Sequence, residues 1–404
     1  MSSRVGFLVN TVGGGWQGGL NYIANLVQAI QAGSANRIEP VLFTSPGSET
    51  VLAAMMPSVE VVPTQHVAGR SARRVAGKVL ERATGRNYLF ERLLRSHRID
   101  VLSHFPFLGR ACTFPTIAWI PDLQHRQRPD FFDPEELLRR DASIVNTAAQ
   151  STTVLVSSNA ALHDLTAFIP SAERTARVLH FVSGLDFGRP TPPLMPVLDR
   201  YGLPHTYFHL PNQFWRHKNH RLVIDALSLL AERGFRPHVV STGACEDYRS
   251  PDFFNSFKAY LSDKDIVGQF HILGLIPYEE VRLLMANSIA VINPSLFEGW
   301  STSVEEGKSL GKAILLSDIA VHREQAPPRG LFFDPYSAEE LANAMIRTSE
   351  AYLASDEELH AETARLAFES QFASFGAGYA DIVADTIRRF KPRVTAVGTA
   401  VERQ

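Results

Sequence analysis

Two doubly wound α/β domains are predicted for this chain of 404 residues, on three observations. Short apolar runs alternate with stretches of helical spacing along most of its length, the pattern of a largely parallel sheet covered by helices. Five prolines, Pro190, Pro192, Pro193, Pro196 and Pro204, interrupt the alternation at 189–204 and read as a semi-rigid interdomain linker. The length exceeds a usual single domain and suits two. The expected division is a first domain at 1–188, the linker at 189–204, a second domain at 205–370, a C-terminal helix at 371–390 and a loose tail at 391–404.

The first half opens on Val5 to Val9, a short apolar run suited to a buried parallel strand. A glycine-rich loop through Gly18 and Gly19 follows, then Leu20, Ile23, Leu26, Val27 and Ile30 at helical spacing. The loop is not G-x-G-x-x-G, and no acid stands where a dinucleotide ribose would need one. Further strand-like runs lie at 41–43, 59–62, 101–102, 116–120, 154–156 and 178–181. Residues 70–98 carry nine Arg and Lys against Glu81 and Glu91, with Val75, Val79, Leu89, Leu93 and Leu94 on an apolar side. Such a segment can lie on an anionic membrane surface or be a solvated helix face.

The second half repeats the pattern, with strand-like runs at 207–210, 238–240, 270–273, 289–292, 313–316 and 331–333. Arg216 and Lys218 follow the first of these, where an anionic ligand would meet the carboxyl ends of the strands. After the run ending at Ile292, the stretch Asn293 to Gly307 holds Gly299 in its loop, the hydroxyl residues Ser301, Thr302 and Ser303, and the acids Glu298, Glu305 and Glu306. A strand opening through small polar residues into a helix is an anion site, because the first helical N–H groups lack partners. The acids beside it have two readings: a capping box, Thr302 with Glu305 or Ser303 with Glu306, or acceptors for sugar hydroxyls. Asp263-Lys264-Asp265 is expected to be a surface turn rather than a metal site.

Composition narrows the function classes. Apolar residues make up 45%, charged residues 20%, and the formal net charge is −2, so no global bias toward nucleic acid exists. Cys112 and Cys245 stand far apart without a C-x-x-C, which predicts a reduced compartment and neither disulfide nor zinc site. The first ten residues enter a strand pattern directly, and no apolar run approaches the ~18 residues of a membrane span. A cytoplasmic protein is expected, with any membrane contact peripheral.

Glu298 and Glu306 are spaced as E-x7-E. The run Phe297 to Lys312, followed by Leu316 to Gln325, resembles the family-4 retaining glycosyltransferases of GT-B fold, and within them a bacterial subgroup that includes mannosyltransferases of O-antigen and other cell-surface polysaccharides. The resemblance implies two Rossmann-like domains facing across a cleft, with the C-terminal helix crossing back onto the first. It implies transfer of a sugar, with mannose from GDP-mannose the best guess, to a glycan or lipid-linked acceptor, with retention and without a metal. Arg216 and Lys218 would clamp the leaving diphosphate with the N–H groups of Ser301, Thr302 and Ser303. Glu306 would accept from the ribose and Glu298 would lie at the donor sugar. Gly18 and Gly19 would approach the donor, and Gly243, Leu275 and Ile276 would frame the nucleotide. The family often carries a His-Asp pair near the anomeric centre; here Pro121 takes the His position and Asp122 is kept, leaving His125, His104 or neither in the role. An epimerase of the same fold, or a sugar-nucleotide binding protein with weak turnover, is the alternative.

Overall fold

The computed structural model describes residues 2–9, 17–69, 71–104, 108–184, 190–247 and 249–391, with Gln17 and Gly18 described by their backbone alone. Seven parallel strands form the first sheet: β1 (Ser3–Leu8), β2 (Ile38–Thr44), β3 (Glu60–Pro63), β4 (Val101–Ser103), β5 (Thr116–Trp119), β6 (Thr153–Val156) and β7 (Ala176–Val178), in the order β3-β2-β1-β4-β5-β6-β7. Six form the second: β8 (Phe208–Leu210), β9 (Val239–Thr242), β10 (Phe270–Gly274), β11 (Val291–Asn293), β12 (Ile314–Ser317) and β13 (Gly330–Phe333), in the order β10-β9-β8-β11-β12-β13. Each sheet reverses its winding beside its first strand, at β1/β4 and at β8/β11. Open α/β sheets leave a crevice there, outside the carboxyl ends of the strands. The central strands are continuous apolar runs because helices cover both faces: Val5, Phe7, Leu42, Val101 and Ile117 are buried in one core, Phe208, Leu210, Val239, Ile292 and Leu315 in the other.

Two boundaries differ from expectation. The run 178–181 was expected to be a strand, but β7 ends at Val178, and the chain leaves the sheet as the segment joining the domains. Within the proline cluster, Leu194–Tyr201 is a helix. Pro196 lies in its first turn, where a missing N–H costs nothing. Val197 and Leu198 pack it against Tyr207, Val240 and Leu284, so it belongs to the second domain. Residues 185–189 and 392–404 lie outside the described residues.

The C-terminal helix runs unbroken over Glu357–Arg389. Its start is tied to the second domain by Glu357, which accepts from Arg329 at 2.9 Å and pairs with Lys312. Its second half lies in the first domain, where Phe372, Phe375, Tyr379, Ile382 and Val383 pack with Ile23, Leu26, Val27 and Ile30 of the helix Gln17–Ser34. A second tie comes from Glu324. Its carboxylate accepts from the N–H of Asn159 (2.6 Å) and of Ala160 (3.2 Å), at the first turn of the helix Asn159–Phe168 in the first domain. His180 Nε2 lies 2.5 Å from the same carboxylate. Burial opposes its ionisation, but these partners outweigh it and hold Glu324 below the usual carboxylate range.

Candidate active site

Between the facing strand ends lies a cleft of about 420 Å³, within the size range of small-molecule sites. Its first-domain wall is made by Gly19, Tyr22, Trp119, Asp122 and Gln124; its second-domain wall by residues that follow β8, β9, β10 and β11. Sequence positions far apart meet here because every contributing strand ends on the same side of its sheet.

Lys218 and Glu298 stand at the β8/β11 switch point. Lys218 Nζ donates to Glu298 Oε1 at 2.6 Å, and Ser295 Oγ, whose one proton is shared with Asn293 Oδ1, lies 2.6 Å from the same oxygen. Both side chains are largely buried, 15% and 9% exposed. Asn293, fully buried as the last residue of β11, organises the loop beyond. Its Oδ1 accepts from Ser295 Oγ (2.7 Å), and its Nδ2 donates to the hydroxyls of Ser301 (2.7 Å) and Ser303 (3.2 Å). From the other side, Asn219 Nδ2 donates to the carbonyl of Pro294 at 3.1 Å.

Ser301, Thr302 and Ser303 line the cleft where the helix Thr302–Ser309 begins. Ser301 is the N-cap residue and makes no side-chain cap bond. That places Val304 at the third helical position, so neither capping-box pairing exists: Glu305 and Glu306 fall too late in the helix. The two acids part ways instead. Glu305 turns inward, where its Oε1 accepts from Lys308 Nζ (3.0 Å) and Gln325 Nε2 (2.9 Å). Glu306 lines the cleft, and its Oε1 accepts from Tyr278 (2.7 Å) and more distantly from Ser183 (3.5 Å). Among the described residues Oε2 has no partner. Burial pushes the Glu306 carboxyl above its ordinary range, against the opposing pull of Tyr278 and Arg282.

Gly19, Asp122, Gly243, Leu275 and Ile276 also line the cleft. The side-chain surroundings of Gly18 lie outside the described residues. Asp122 Oδ1 accepts from the N–H of Gln124 at 2.9 Å. Gly243 holds a positive φ of 140°, and a Cβ there would collide with the backbone of Asn212 and Gln213, so β8 and β9 deliver their loops closely only with glycine.

Two expected site residues lie elsewhere. Arg216 does not line the cleft: it is exposed, reaching the carbonyl of Asp130 at 3.4 Å with its guanidinium 5.0 Å from the Phe131 ring. The single turn Arg216–Lys218 is a 3₁₀ helix, in which residues two apart point in different directions. His125 is buried on a four-residue helix, its Nε2 3.0 Å from Asp141 Oδ1, and it also does not line the cleft. His104 is partly buried and does not line the cleft either, bonded to Tyr22 (3.0 Å) and Ser103 (2.8 Å). Desolvation takes its pKa down to about 3, which keeps it neutral.

The domains touch directly at Gly299. A Cβ there would run into the carbonyl of Pro121 and the side chain of Asp122. Gly299→Ala is therefore expected to prop the cleft open and raise the half-saturating concentration of any cleft ligand about tenfold, an overpacking cost of about 1–3 kcal/mol. Calorimetric titration of parent and variant measures it, and equal affinities would contradict the closed geometry.

Residues absent from the expected list complete the site. Asn293 gave one signal in sequence, a polar residue closing a buried apolar run. Gln213, Trp119 and Tyr22 line the cleft, and Tyr278 and Ser183 hold Glu306. Nothing in their local sequence connects them to it.

Residues 206–365 match the family model of glycosyl transferases group 1, so the second domain is a group 1 glycosyltransferase domain. No curated protein matches the chain by sequence. Among solved structures the chain is similar to a glycosyltransferase from Rickettsia africae, at 14% identity over 96% of this chain and 99% of that one, with a TM-score of 0.67. It is similar to Anabaena HepE in complex with UDP and glucose, at 16% identity over 95% and 99%, with a TM-score of 0.66. It is also similar to sucrose-phosphate synthase from Thermosynechococcus elongatus, at 14% identity over 96% and 98%, with a TM-score of 0.61. At these identities the likeness shows the fold, which is GT-B. Among the described residues no helix is long and apolar enough to cross a membrane.

Proposed function

We propose that this chain is a retaining glycosyltransferase that moves a sugar from a nucleotide donor to a glycan or lipid-linked acceptor in cell-surface polysaccharide synthesis. One observation carries the reading: Lys218, Glu298, the start of the helix Thr302–Ser309 and Glu306 all line one cleft between two domains. The group 1 domain supports it.

In this reading the donor lies along the second-domain wall. Leu275 and Ile276 frame the base, and Glu306 Oε2 accepts from the ribose. The diphosphate meets Lys218 and the opening N–H groups of the helix, and Glu298 faces the sugar. Transfer forms a bond from an acceptor oxygen to the anomeric carbon and breaks the bond from that carbon to phosphate. The electron pair leaves with the diphosphate, and the acceptor's proton goes to the departing phosphate oxygen. Lys218 and the helix amides stabilise the charge that develops there. No protein base is required by this route, so the burial of His125 removes nothing from it, and no metal is required where Lys218 and the amides hold the diphosphate.

The donor proposed is GDP-mannose, on the resemblance; the UDP and glucose bound by Anabaena HepE make UDP-glucose its first competitor. A thermal-shift screen of GDP-, UDP- and dTDP-sugars, followed by mass spectrometry of products, tests the reading. Stabilisation by one donor and its conversion to nucleoside diphosphate with sugar transfer is expected; an epimerised donor, or binding without turnover, would replace the proposal.

The helices Ala72–Thr84 and Tyr88–Ser96 expose Val75, Val79, Tyr88 and Leu89 among their basic residues. This supports peripheral contact with an anionic membrane, which vesicle co-sedimentation with and without anionic lipid would test.

A pH dependence follows from Glu306. Ribose hydroxyls donate to the ionised carboxylate, and burial raises its pKa. Donor affinity is then complete above that raised pKa and falls as pH falls through it, earlier than an ordinary carboxylate would allow. Glu306→Gln is expected to remove this acid limb from calorimetric titrations; a limb that persists unchanged assigns it to another group.

A further inference from the structure

A second interdomain cavity, of about 340 Å³, adjoins the donor cleft at Phe297 and Glu298, which line both. Its first-domain wall is Gln127, Arg128, Ala160, Ala161, His163 and Asp164; its second-domain wall runs through Leu296 and Ile319 to Val321. The Glu324 tie to Asn159 and Ala160 forms one edge, so the cavity exists because the two domains are joined there.

Resting on the glycosyltransferase reading, we propose that this cavity receives the accepting sugar unit, and that the unit it takes is uncharged. The polar groups fit a hydroxyl, which both donates and accepts. Arg128 lines the cavity as a donor residue, its guanidinium held by two bonds to Asp130, each 3.2 Å. Asp164 is the matching acceptor, fixed by Gln127 Nε2 at 2.6 Å. Leu296, Phe297 and Val321 offer an apolar surface to the C–H face of a ring.

Charge argues against an anionic acceptor group. Arg128 is paired with Asp130 and Lys218 with Glu298. That leaves Asp164, whose side chain is 16% exposed, with only the exposed imidazole of His163 3.8 Å away. Among the described lining residues, a phosphate entering here would meet the carboxylate of Asp164 with only the exposed imidazole of His163 to offset it.

The test uses two variants outside the donor machinery, Asp164→Asn and Ala320→Trp. Ala320 is exposed and lines the cavity, so a large side chain there fills the space without entering a core. The probes are octyl α-mannoside, octyl β-glucoside and octyl N-acetylglucosaminide as neutral acceptors, with glucose 1-phosphate as the anionic one. The parent is expected to transfer to at least one neutral glycoside in preference to glucose 1-phosphate. Asp164→Asn should raise the KM for that glycoside about tenfold, as expected for losing a hydrogen bond to a charged group, and Ala320→Trp should abolish saturation. Calorimetric affinity for GDP or UDP should stay at the parent value in both. An unchanged acceptor KM in both variants, a preference for the anionic probe, or a parent that binds the diphosphate yet accepts no neutral glycoside would overturn the proposal. A parent that binds neither GDP nor UDP would instead bring down the glycosyltransferase reading.

Discussion

Glu298→Gln is expected to lower the rate of sugar transfer about 10²–10³-fold, the usual loss when one prearranged electrostatic contact is removed from a reacting centre. The substitution keeps the shape of the side chain and removes its charge. In the free protein that charge is shared between Lys218 and Ser295, both 2.6 Å from Oε1. An arriving diphosphate competes with Glu298 for Lys218. Glu298→Gln should therefore bind nucleoside diphosphate as well as the parent or better, while turnover falls. Single-turnover rates and calorimetry on the same preparation separate the two effects. A variant that turns over at the parent rate removes Glu298 from the chemistry, and one that loses diphosphate affinity makes it a binding residue.

Lys218→Ala should have the other large effect, a fall in kcat/KM of about 10–150-fold, corresponding to about 1.5–3 kcal/mol for a hydrogen bond between charged groups. Part of the loss is the cost of leaving Glu298 buried without its partner. Lys218→Arg addresses this, since it restores the charge; partial recovery is expected because a guanidinium does not fit the place of a compact ammonium. Steady-state kinetics with a fixed acceptor measure both. Equal losses in Ala and Arg variants would mean that the pocket's shape, rather than its charge, was lost.

Much of this site was legible in the chain because its parts sit where strands end. Lys218 and Glu298 stand in the loops that follow apolar runs and Glu306 in the helix that the second of these loops opens, and parallel winding brings all strand ends to one side. What the sequence did not disclose depends on direction or on distant pairing. Arg216 and Lys218 are two residues apart, and only the local 3₁₀ geometry sends one into the cleft and the other onto Phe131. The hydroxyls and acids of 301–306 matched a capping box in two registers, yet the helix starts one residue too early for the first and two too early for the second. Tyr278 and Ser183 meet Glu306 from 28 and 123 residues away, and no local pattern encodes such a meeting. The proline cluster misled for a related reason: a proline in the first turn is compatible with the helix that Leu194–Tyr201 forms.

In the proposed transfer the diphosphate lies between Lys218 and the start of the helix Thr302–Ser309. Calorimetric titration of GDP and UDP into the parent, Lys218→Ala and Arg216→Ala proteins tests that most directly. The structure predicts tight binding by the parent, a loss of at least about tenfold for Lys218→Ala, and parent-like affinity for Arg216→Ala. Loss of affinity in Arg216→Ala with none in Lys218→Ala would place the diphosphate outside this cleft and contradict the site described.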